Sequence, residues 1–263
     1  MAIVNVTPDS FSDGGERLDP ARAIEDGLRF VEEGADILDI GGESTRPGSL
    51  PTSAEDELKR VLPVVEGLAR QGRSGGKDLV LSIDTRRASV ARAALDAGAR
   101  IVNDVSAVRD DAAMLPLVVE RQADLVLMHR RGLPENTFAG PAYADVVEEV
   151  RTFLLERAAA CEAAGLRRDR IALDPGLGFG KSVAQELELI AGSGRLAEAG
   201  YPVLIGCSRK SFIGKLTGIA KAADRDPASA WLTVEAVRHG AGLVRVHNVV
   251  ATRQALAVWA AMK

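Results

Sequence analysis

Polar side chains stand at or near the ends of several short apolar runs in this sequence. Asp84 and Asp174 each end such a run, and Asn103 lies close to the end of another. Buried polar groups are costly unless they have partners, so polar residues that converge from several runs predict a polar ligand. Aspartate and asparagine together can bind a flat heterocycle that presents both hydrogen-bond donors and acceptors.

A second group of residues has the chemistry of an anion site. Arg245 and His247 are two residues apart, so on a strand their side chains point to the same face. Together with Thr45 and Arg46 they predict a site for phosphate groups, because arginine binds phosphate oxygens through paired, charge-assisted hydrogen bonds.

Oxygen ligands for a hard cation are also present. Asn5 and Asp13 can supply the oxygen atoms that Mg²⁺ prefers. Each polar residue also has a structural interpretation, since a lone asparagine or aspartate after a strand often caps the next helix. For Asp84 taken alone, capping of the next helix and ligand binding are equally good interpretations. For Glu43 and Asp104, the structural interpretation is an ion pair with arginines of the barrel.

The elements that must position these residues repeat eight times along the chain. Each unit is a short run rich in Val, Ile and Leu, then a polar or glycine-rich turn, then a longer helical stretch. The runs cover residues 2–6, 36–40, 79–84, 100–105, 124–129, 171–174, 202–206 and 243–247. Eight alternating strands and helices predict the α/β class and a single (β/α)8 TIM barrel over residues 1–263, with its chemistry at the C-terminal ends of the strands. Residues 73–77 are expected to form a flexible loop.

Composition excludes several classes of function. The net charge is −4 and the charged residues are well mixed, so no basic tract indicates nucleic acid or a membrane surface. No apolar run approaches the ~18 residues that span a bilayer, and the first eight residues do not have the pattern of a signal peptide. Cys161 and Cys207 do not form a CxxC pair. We therefore expect a cytoplasmic enzyme.

Two long motifs and several shorter ones, in order along the chain, resemble the dihydropteroate synthase family. The long motifs are NVTPDSFSDGG from Asn5 and GGESTRPG from Gly41. The shorter ones are SIDT from Ser82, ND from Asn103, LMH from Leu127, DPGLGFGK from Asp174, SRKS from Ser208 and RVH from Arg245. The resemblance covers nearly the whole chain.

The resemblance implies a transferase of folate biosynthesis that uses Mg²⁺. It implies that 6-hydroxymethyl-7,8-dihydropterin pyrophosphate condenses with 4-aminobenzoate to give 7,8-dihydropteroate and pyrophosphate. The partners would be these small molecules and a second copy of the chain in a homodimer, with no nucleic acid and no membrane. Sulfonamide drugs mimic aminobenzoate, so the same site would be their target or the place of resistance.

The resemblance also assigns roles to individual residues. Those that hold or contact the pterin would be Asp84, Asn103, Met128, Asp174, Lys210 and Arg245. Those that hold pyrophosphate would be Asn5, Thr45, Arg46, Arg245 and His247, and Asn5 with Asp13 would place the metal. Those around aminobenzoate would be Phe11, Pro47, Phe179, Lys210 and Ser211. The catalytic residues would be Asn5, Lys210, Arg245 and His247.

The sequence departs from the family pattern at two positions that bear on the site. Arg130-Arg131 follows His129 and is expected to add two charges near the mouth of the barrel. Asn248 stands where an acidic residue commonly follows the histidine, which is expected to weaken the orientation of His247. Trp231 is expected to pack at a helix interface, on a surface that the dimer could use.

Two other functions share part of this pattern. The pterin-binding barrel of methyltetrahydrofolate methyltransferases would have the same aspartate and asparagine ligands, but it would not need the pair Lys210-Ser211 or the segment at Thr45-Arg46. A non-catalytic pterin-binding protein would be favoured by a missing metal or pyrophosphate ligand, and none is missing from the sequence.

Overall fold

Eight short parallel strands surround the centre of the protein. The computed structural model describes residues 1–7, 19–44, 51–74, 77–131 and 143–263. The strands are β1 (Ala2–Asn5), β2 (Ile37–Gly41), β3 (Val80–Asp84), β4 (Ile101–Asp104), β5 (Asp124–Met128), β6 (Ile171–Asp174), β7 (Leu204–Ile205) and β8 (Leu243–Val244). Each of the eight predicted runs overlaps one of them, and β2 extends one residue beyond its run.

Backbone hydrogen bonds close these strands into a ring. Strands β1 to β6 pair in chain order, and β7 pairs with β8. The amide of Leu173 donates to the carbonyl of Pro202 at 2.9 Å, which joins β6 to β7. The amide of Ile3 donates to the carbonyl of Val246 at 3.0 Å, which joins β8 to β1. The predicted (β/α)8 barrel is therefore confirmed.

Ten α-helices are present in the described part of the chain, and they connect the strands. They are α1 (Pro20–Glu32), α2 (Ala54–Gln71), α3 (Ala88–Asp96), α4 (Met114–Arg121), α5 (Val146–Ala163), α6 (Val183–Ala191), α7 (Ser193–Ala197), α8 (Ser211–Thr217), α9 (Asp226–Arg238) and α10 (Val249–Ala261). Two short 3₁₀ turns cover Arg168–Arg170 and Ala222–Arg225. Among the described residues, no helix combines the length and the apolar composition that a membrane span requires.

Local sequence explains where several helices begin. Asp19, Ser53 and Asp145 each accept a backbone N–H of the first turn of the helix that follows. Ser182 forms a reciprocal capping box with Gln185 at the start of α6. Such caps satisfy N–H groups that have no partner within the helix. Residues 73–74 pair with residues 77–78 in a short antiparallel ladder, within the segment expected to be a flexible loop.

The barrel has one apolar layer outside its strands and another inside. Alternate strand residues point to opposite faces, so Leu38 and Ile40 of β2 pack outward against the helices, as does Leu127 of β5. The inner apolar layer is made of Ile101, Val126, Ala172 and Leu204, with Met1, Ile37, Val80 and Leu243 packed against it. This layer fills the N-terminal half of the barrel. The interior toward the C-terminal ends of the strands is consequently left to polar side chains.

Candidate functional site

Arg245, which directly follows β8, is held inside the barrel by two carboxylates. Its Nε donates to Oδ2 of Asp39 at 2.6 Å, and its Nη2 donates to Oδ2 of Asp84 at 2.7 Å. Asp39 also accepts a hydrogen bond at 3.0 Å from the side-chain amide of Asn103. Four residues from four strand units are thereby joined above the inner apolar layer.

Burial sets the charge properties of this group. It raises the pKa of Asp84 to about 7, and the Asp39 carboxylate adds to the rise while Arg245 opposes it. Burial would lower the pKa of Arg245, but Asp39 and Asp84 hold it above its usual value, so the guanidinium stays charged. Arg245 favours the ionised form of Asp84. In that form the carboxylate can accept hydrogen bonds from a ligand that carries N–H donors.

Asp174 at the end of β6 brings a further carboxylate to the same mouth. Its Oδ1 accepts the N–H of Gly176 at 2.7 Å. Burial raises the pKa of Asp174, and the nearby Lys210 opposes that rise. Burial also lowers the pKa of Lys210, against the attraction of Asp174. The ammonium of Lys210 donates to the carbonyl of Leu177, so the lysine and the aspartate flank one glycine-rich loop.

That loop, Gly176 to Gly180, is fixed from below by Lys181. The Lys181 ammonium is buried and donates to the carbonyls of Gly176 at 2.8 Å, Phe179 at 3.1 Å and His129 at 3.4 Å. Burial lowers its pKa to about 7, whereas the carboxylates of Glu186 and Asp174 favour the charged form. Gly176 has φ +69°, and a Cβ there would lie 1.8 Å from the carbonyl oxygen of His129, so only glycine fits.

An apolar surface lies beside these charges. Val105, Met128 and Phe179 form a small buried cluster of their own, separate from the two main layers. Nζ of Lys210 is 4.9 Å from the centre of the Phe179 ring. Met128 is paired in register with Asp174, so the apolar surface adjoins the carboxylate directly. Pockets that bind heterocycles commonly combine polar groups, which contact the edge of the ring, with apolar groups, which contact its face.

His247 is oriented by a residue that sequence reasoning missed. Oγ of Ser208 lies 3.0 Å from His247 Nδ1 and accepts the backbone N–H of His247 at 3.2 Å. Asn248 caps α10 and donates to Asp226 at 2.9 Å. Ser208 therefore holds the imidazole, and the expected effect of Asn248 on the orientation of His247 stays a prediction. Among the described residues, His247 lines a cavity of about 260 Å³ together with Arg209, Asn248 and, from the end of α1, Arg29, Phe30 and Glu33.

The two arginines after His129, which were expected to add two charges near the mouth, are both paired with carboxylates. Arg130 is only 3% exposed in its side chain and pairs with Asp110 at 2.5 Å. Arg131 pairs with Glu149 at 2.9 Å and lies 3.5 Å from the centre of the Tyr143 ring. Both positive charges are therefore matched by carboxylates.

Ion pairs also occupy the rim near β2 and β3. Glu43 pairs with Arg86 at 3.1 Å and with Arg87 at 2.9 Å, as the structural interpretation of Glu43 predicted. Burial would raise the pKa of Glu43, but the hydrogen bonds from these arginines hold it below its usual value. Asp104 is different, because it accepts the N–H groups of Ser106 at 2.7 Å and Val108 at 2.9 Å and so shapes its own loop.

Most of the predicted site residues that fall within the described part of the chain lie at the C-terminal side of the barrel. Asp84 pairs in register with Asn103, and Asn5 ends β1 beside Gly41. Ser211 is exposed at the first position of α8. The remaining predicted residues lie outside the described part of the chain and are Phe11, Asp13, Thr45, Arg46 and Pro47.

Sequence reasoning assigned no role to several residues of this region, among them Asp39, Lys181 and Ser208. Asp39 gave a signal that could have been used, since it is a carboxylate inside an apolar run and has the same inward parity as Gly41. Lys181 and Ser208 lie within recognised motifs, but their contacts depend on distant loops that the sequence does not order.

Comparison with known proteins agrees with this geometry. The profile of the family described as "Pterin binding enzyme" matches residues 1–247. Dihydropteroate synthase of Mycobacterium leprae is 48% identical over 98% of this chain and 91% of its own length. The structure of Xanthomonas albilineans dihydropteroate synthase with 4-aminobenzoic acid has a TM-score of 0.91 at 49% identity, covering 99% of this chain and 91% of that one. The Thermus thermophilus enzyme in complex with 6HMPPP has a TM-score of 0.84 at 38% identity, covering 100% and 93%.

Replacing Lys181 by methionine tests the support of the glycine-rich loop. Lys181→Met keeps the length of the side chain but removes a donor shared by three carbonyls, so we expect the free energy of unfolding to fall by about 1–3 kcal/mol. Denaturant unfolding measures this, with Lys215→Met on the exposed side of α8 as the matched control. An unchanged or higher stability for Lys181→Met would mean that the carbonyls do not need the ammonium.

Proposed function

Because the chain belongs to the dihydropteroate synthase family of pterin-binding enzymes, we propose that it condenses 6-hydroxymethyl-7,8-dihydropterin pyrophosphate with 4-aminobenzoate. The products are 7,8-dihydropteroate and pyrophosphate, and the enzyme is a transferase of folate biosynthesis. The observation that carries the proposal is the group of Asp84, Asn103, Asp174 and Arg245 inside the barrel, beside an apolar cluster suited to a ring.

In this proposal the pterin is bound by its edge and by its faces. Asp84 and Asp174 accept its N–H donors, and Asn103 and Lys210 complete the polar edge. Met128 and the planar guanidinium of Arg245 pack on the faces of the ring. Support comes from the half-buried or buried position of each of these side chains, because groups removed from water discriminate strongly against a ligand that leaves them unpaired.

The leaving pyrophosphate is assigned to Asn5, Arg245 and His247, together with Thr45 and Arg46 outside the described residues. Ser208 supports this role because its hydroxyl lies at hydrogen-bond distance from Nδ1, on the edge of the His247 ring. Neutralising the charge that develops on the leaving group is the main way in which such a site accelerates the reaction.

Mg²⁺ fits the donors that the sequence offers. In the part of the chain that the structure describes, no group of three or more His, Cys, Asp or Glu residues could hold a metal. Asn5 offers an amide oxygen, and Asp13, outside the described residues, offers a carboxylate. Mg²⁺ is commonly bound by one or two such ligands plus substrate phosphate oxygens and water. When bound, it would supply charge neutralisation for the pyrophosphate.

The reaction exchanges one bond for another. The C–O bond between the pterin's exocyclic methylene and pyrophosphate breaks, and the electron-rich pterin stabilises the cation that forms. The amine of 4-aminobenzoate then supplies its lone pair to the methylene carbon, a C–N bond forms, and the amine loses a proton. Arg245 and His247 hold the departing pyrophosphate, and no covalent enzyme intermediate is required.

The aminobenzoate site is assigned to Phe179, Lys210 and Ser211, with Phe11 and Pro47 outside the described residues. Phe179 offers a ring face next to Met128, on the side of the pocket where Lys210 lies. The charge of Lys210 and the exposed N-terminal position of Ser211 on α8 suit the carboxylate of the substrate.

The proposal extends to the whole chain and to its assembly. Residues 1–263 act as one domain in the cytoplasm, and two copies form a homodimer. Trp231 on α9 is 64% exposed in the single chain, so the helix interface expected for it would lie between two copies. Val258 on the adjoining α10 is also 64% exposed. Large apolar side chains exposed together are typical of an interaction surface, which supports a dimer through α9 and α10.

Two alternatives differ from the proposal in what the site must bind. A methyltetrahydrofolate methyltransferase would share Asp84, Asn103 and Asp174, but it has no use for an imidazole fixed by Ser208 beside Arg245. A non-catalytic pterin-binding protein would bind the pterin without turnover. The paired anion-binding residues Arg245 and His247 favour the condensation over both.

The first test measures the reaction itself. Purified protein should release pyrophosphate only when the pterin pyrophosphate and Mg²⁺ are present, and 7,8-dihydropteroate should form when 4-aminobenzoate is added. Product is followed by chromatography and pyrophosphate by a coupled assay. Tight binding of the pterin with no turnover under any of these conditions would favour the binding protein instead.

The raised pKa of Asp84 gives pterin binding a pH dependence. Below about 7 the carboxyl is mostly protonated and loses part of its capacity to accept hydrogen bonds, so pterin affinity should rise as the pH rises through 7 and then level off. The affinity for 6-hydroxymethylpterin is measured by calorimetry between pH 5.5 and 8.5. Both limits lie about 1.5 units from the pKa of Asp84. Asp84→Asn should bind more weakly and lose the dependence. A dependence that persists in Asp84→Asn would assign it to another group.

The dimer is tested by a charge on its proposed surface. Trp231→Glu should shift sedimentation from dimer to monomer, because a carboxylate buried at an apolar interface has no partner. Lys221→Glu, at a position whose side chain is 76% exposed, is the control and should stay dimeric. A native chain that sediments as a monomer at micromolar concentration would remove the dimer from the proposal.

A further inference from the structure

Asp39 lies beneath the proposed pterin site and has no role in the reaction as derived above. It is a fully buried carboxylate, with 0% of its surface exposed, in the middle of β2. Its Oδ2 accepts both Nε of Arg245 and the amide of Asn103. One oxygen atom therefore connects two side chains to which the proposed function assigns the pterin.

The position of Asp39 follows from strand parity. Ile37, two residues before it, packs against the inner apolar layer. Gly41, two residues after it, lies at the mouth, where an added Cβ would be 3.4 Å from Cβ of Asp84. Asp39 therefore points into the barrel between the apolar layer and the pocket, one level below Asp84.

Each of the two hydrogen bonds to Asp39 restricts a side chain whose rotation would disturb the pocket. Arg245 has a long, flexible side chain, and a hydrogen bond to Nε restricts the plane of the guanidinium as well as its position. Asn103 could turn its amide by 180°, but donation of its nitrogen to Asp39 directs its oxygen to the opposite side. The guanidinium plane and the direction of the amide are thus both set before a ligand enters.

We infer that Asp39 is a positioning residue of the condensation, which acts on the pterin through Arg245 and Asn103 and does not touch it. This inference rests on the proposed function, since it takes the pterin as the ligand of those two residues. Asp39 also gives Arg245 a second hydrogen-bond partner, so Asp84 is not the only carboxyl group that holds the guanidinium.

Ser82 provides a matched control. It lies on β3 at the position paired in register with Asp39, and it is equally buried. Its hydroxyl has no hydrogen-bond partner among the described residues. Ser82→Ala therefore alters a buried side chain at the same depth in the barrel as Asp39, and it leaves the hydrogen bonds of Arg245 and Asn103 in place.

The test is a double-mutant cycle on pterin affinity, measured by calorimetry with 6-hydroxymethylpterin. Asp39→Asn should weaken binding by about tenfold or more, because it removes the charge but keeps the size. Ser82→Ala should stay within about twofold. If Asp39 acts through Arg245, then Asp39→Asn in an Arg245→Gln background should add less than about threefold. Equal losses in both backgrounds, or a loss for Ser82→Ala as large as for Asp39→Asn, would overturn the inference.

A second measurement keeps the inference testable if Asp39→Asn does not fold. In the unmutated protein, the Nε–H resonance of Arg245, assigned by its loss in Arg245→Lys, should be protected from solvent exchange with and without the pterin. Rapid exchange in either state would overturn the inference. Failure of the unmutated protein to bind the pterin would instead contradict the proposed function, and the exchange of Arg245 alone would still report whether Asp39 holds it.

Discussion

The structure depends most on one buried guanidinium. Arg245 is 206 residues from Asp39 and 161 residues from Asp84 along the chain, yet it contacts both inside the barrel. A buried charge without a partner would cost several kcal/mol, about 3–5 when one member of a buried pair is removed. The last strand unit must therefore lie next to the first strands for this charge to be satisfied, so the contacts that hold the pocket also depend on closure of the ring.

The interior of the barrel is organised by depth. Apolar side chains fill its N-terminal half, Asp39 lies above them, and Asp84, Asn103 and Asp174 lie at the mouth. The cluster of Val105, Met128 and Phe179 then offers an apolar surface next to those polar edges. This order matches a flat, hydrogen-bonding heterocycle.

The sequence was most informative where local patterns decide the outcome. Apolar runs located all eight strands, although the ladders of β7 and β8 cover only Leu204–Ile205 and Leu243–Val244 of the longer runs. Strand ends likewise located Asp84, Asn103 and Asp174. Contacts between distant segments were not predictable, since the Ser208–His247 pair and the neutralisation of Arg130 and Arg131 depend on how separate loops approach one another.

The most direct test is a crystal structure of this chain with 6-hydroxymethylpterin bound. The ring should lie in the barrel mouth with its N–H donors on Asp84 and Asp174, and Nε of Arg245 should remain within hydrogen-bond distance of Asp39. A pterin bound elsewhere, or an Arg245 that leaves Asp39 when the ligand enters, would contradict the view that the buried guanidinium presets the pocket.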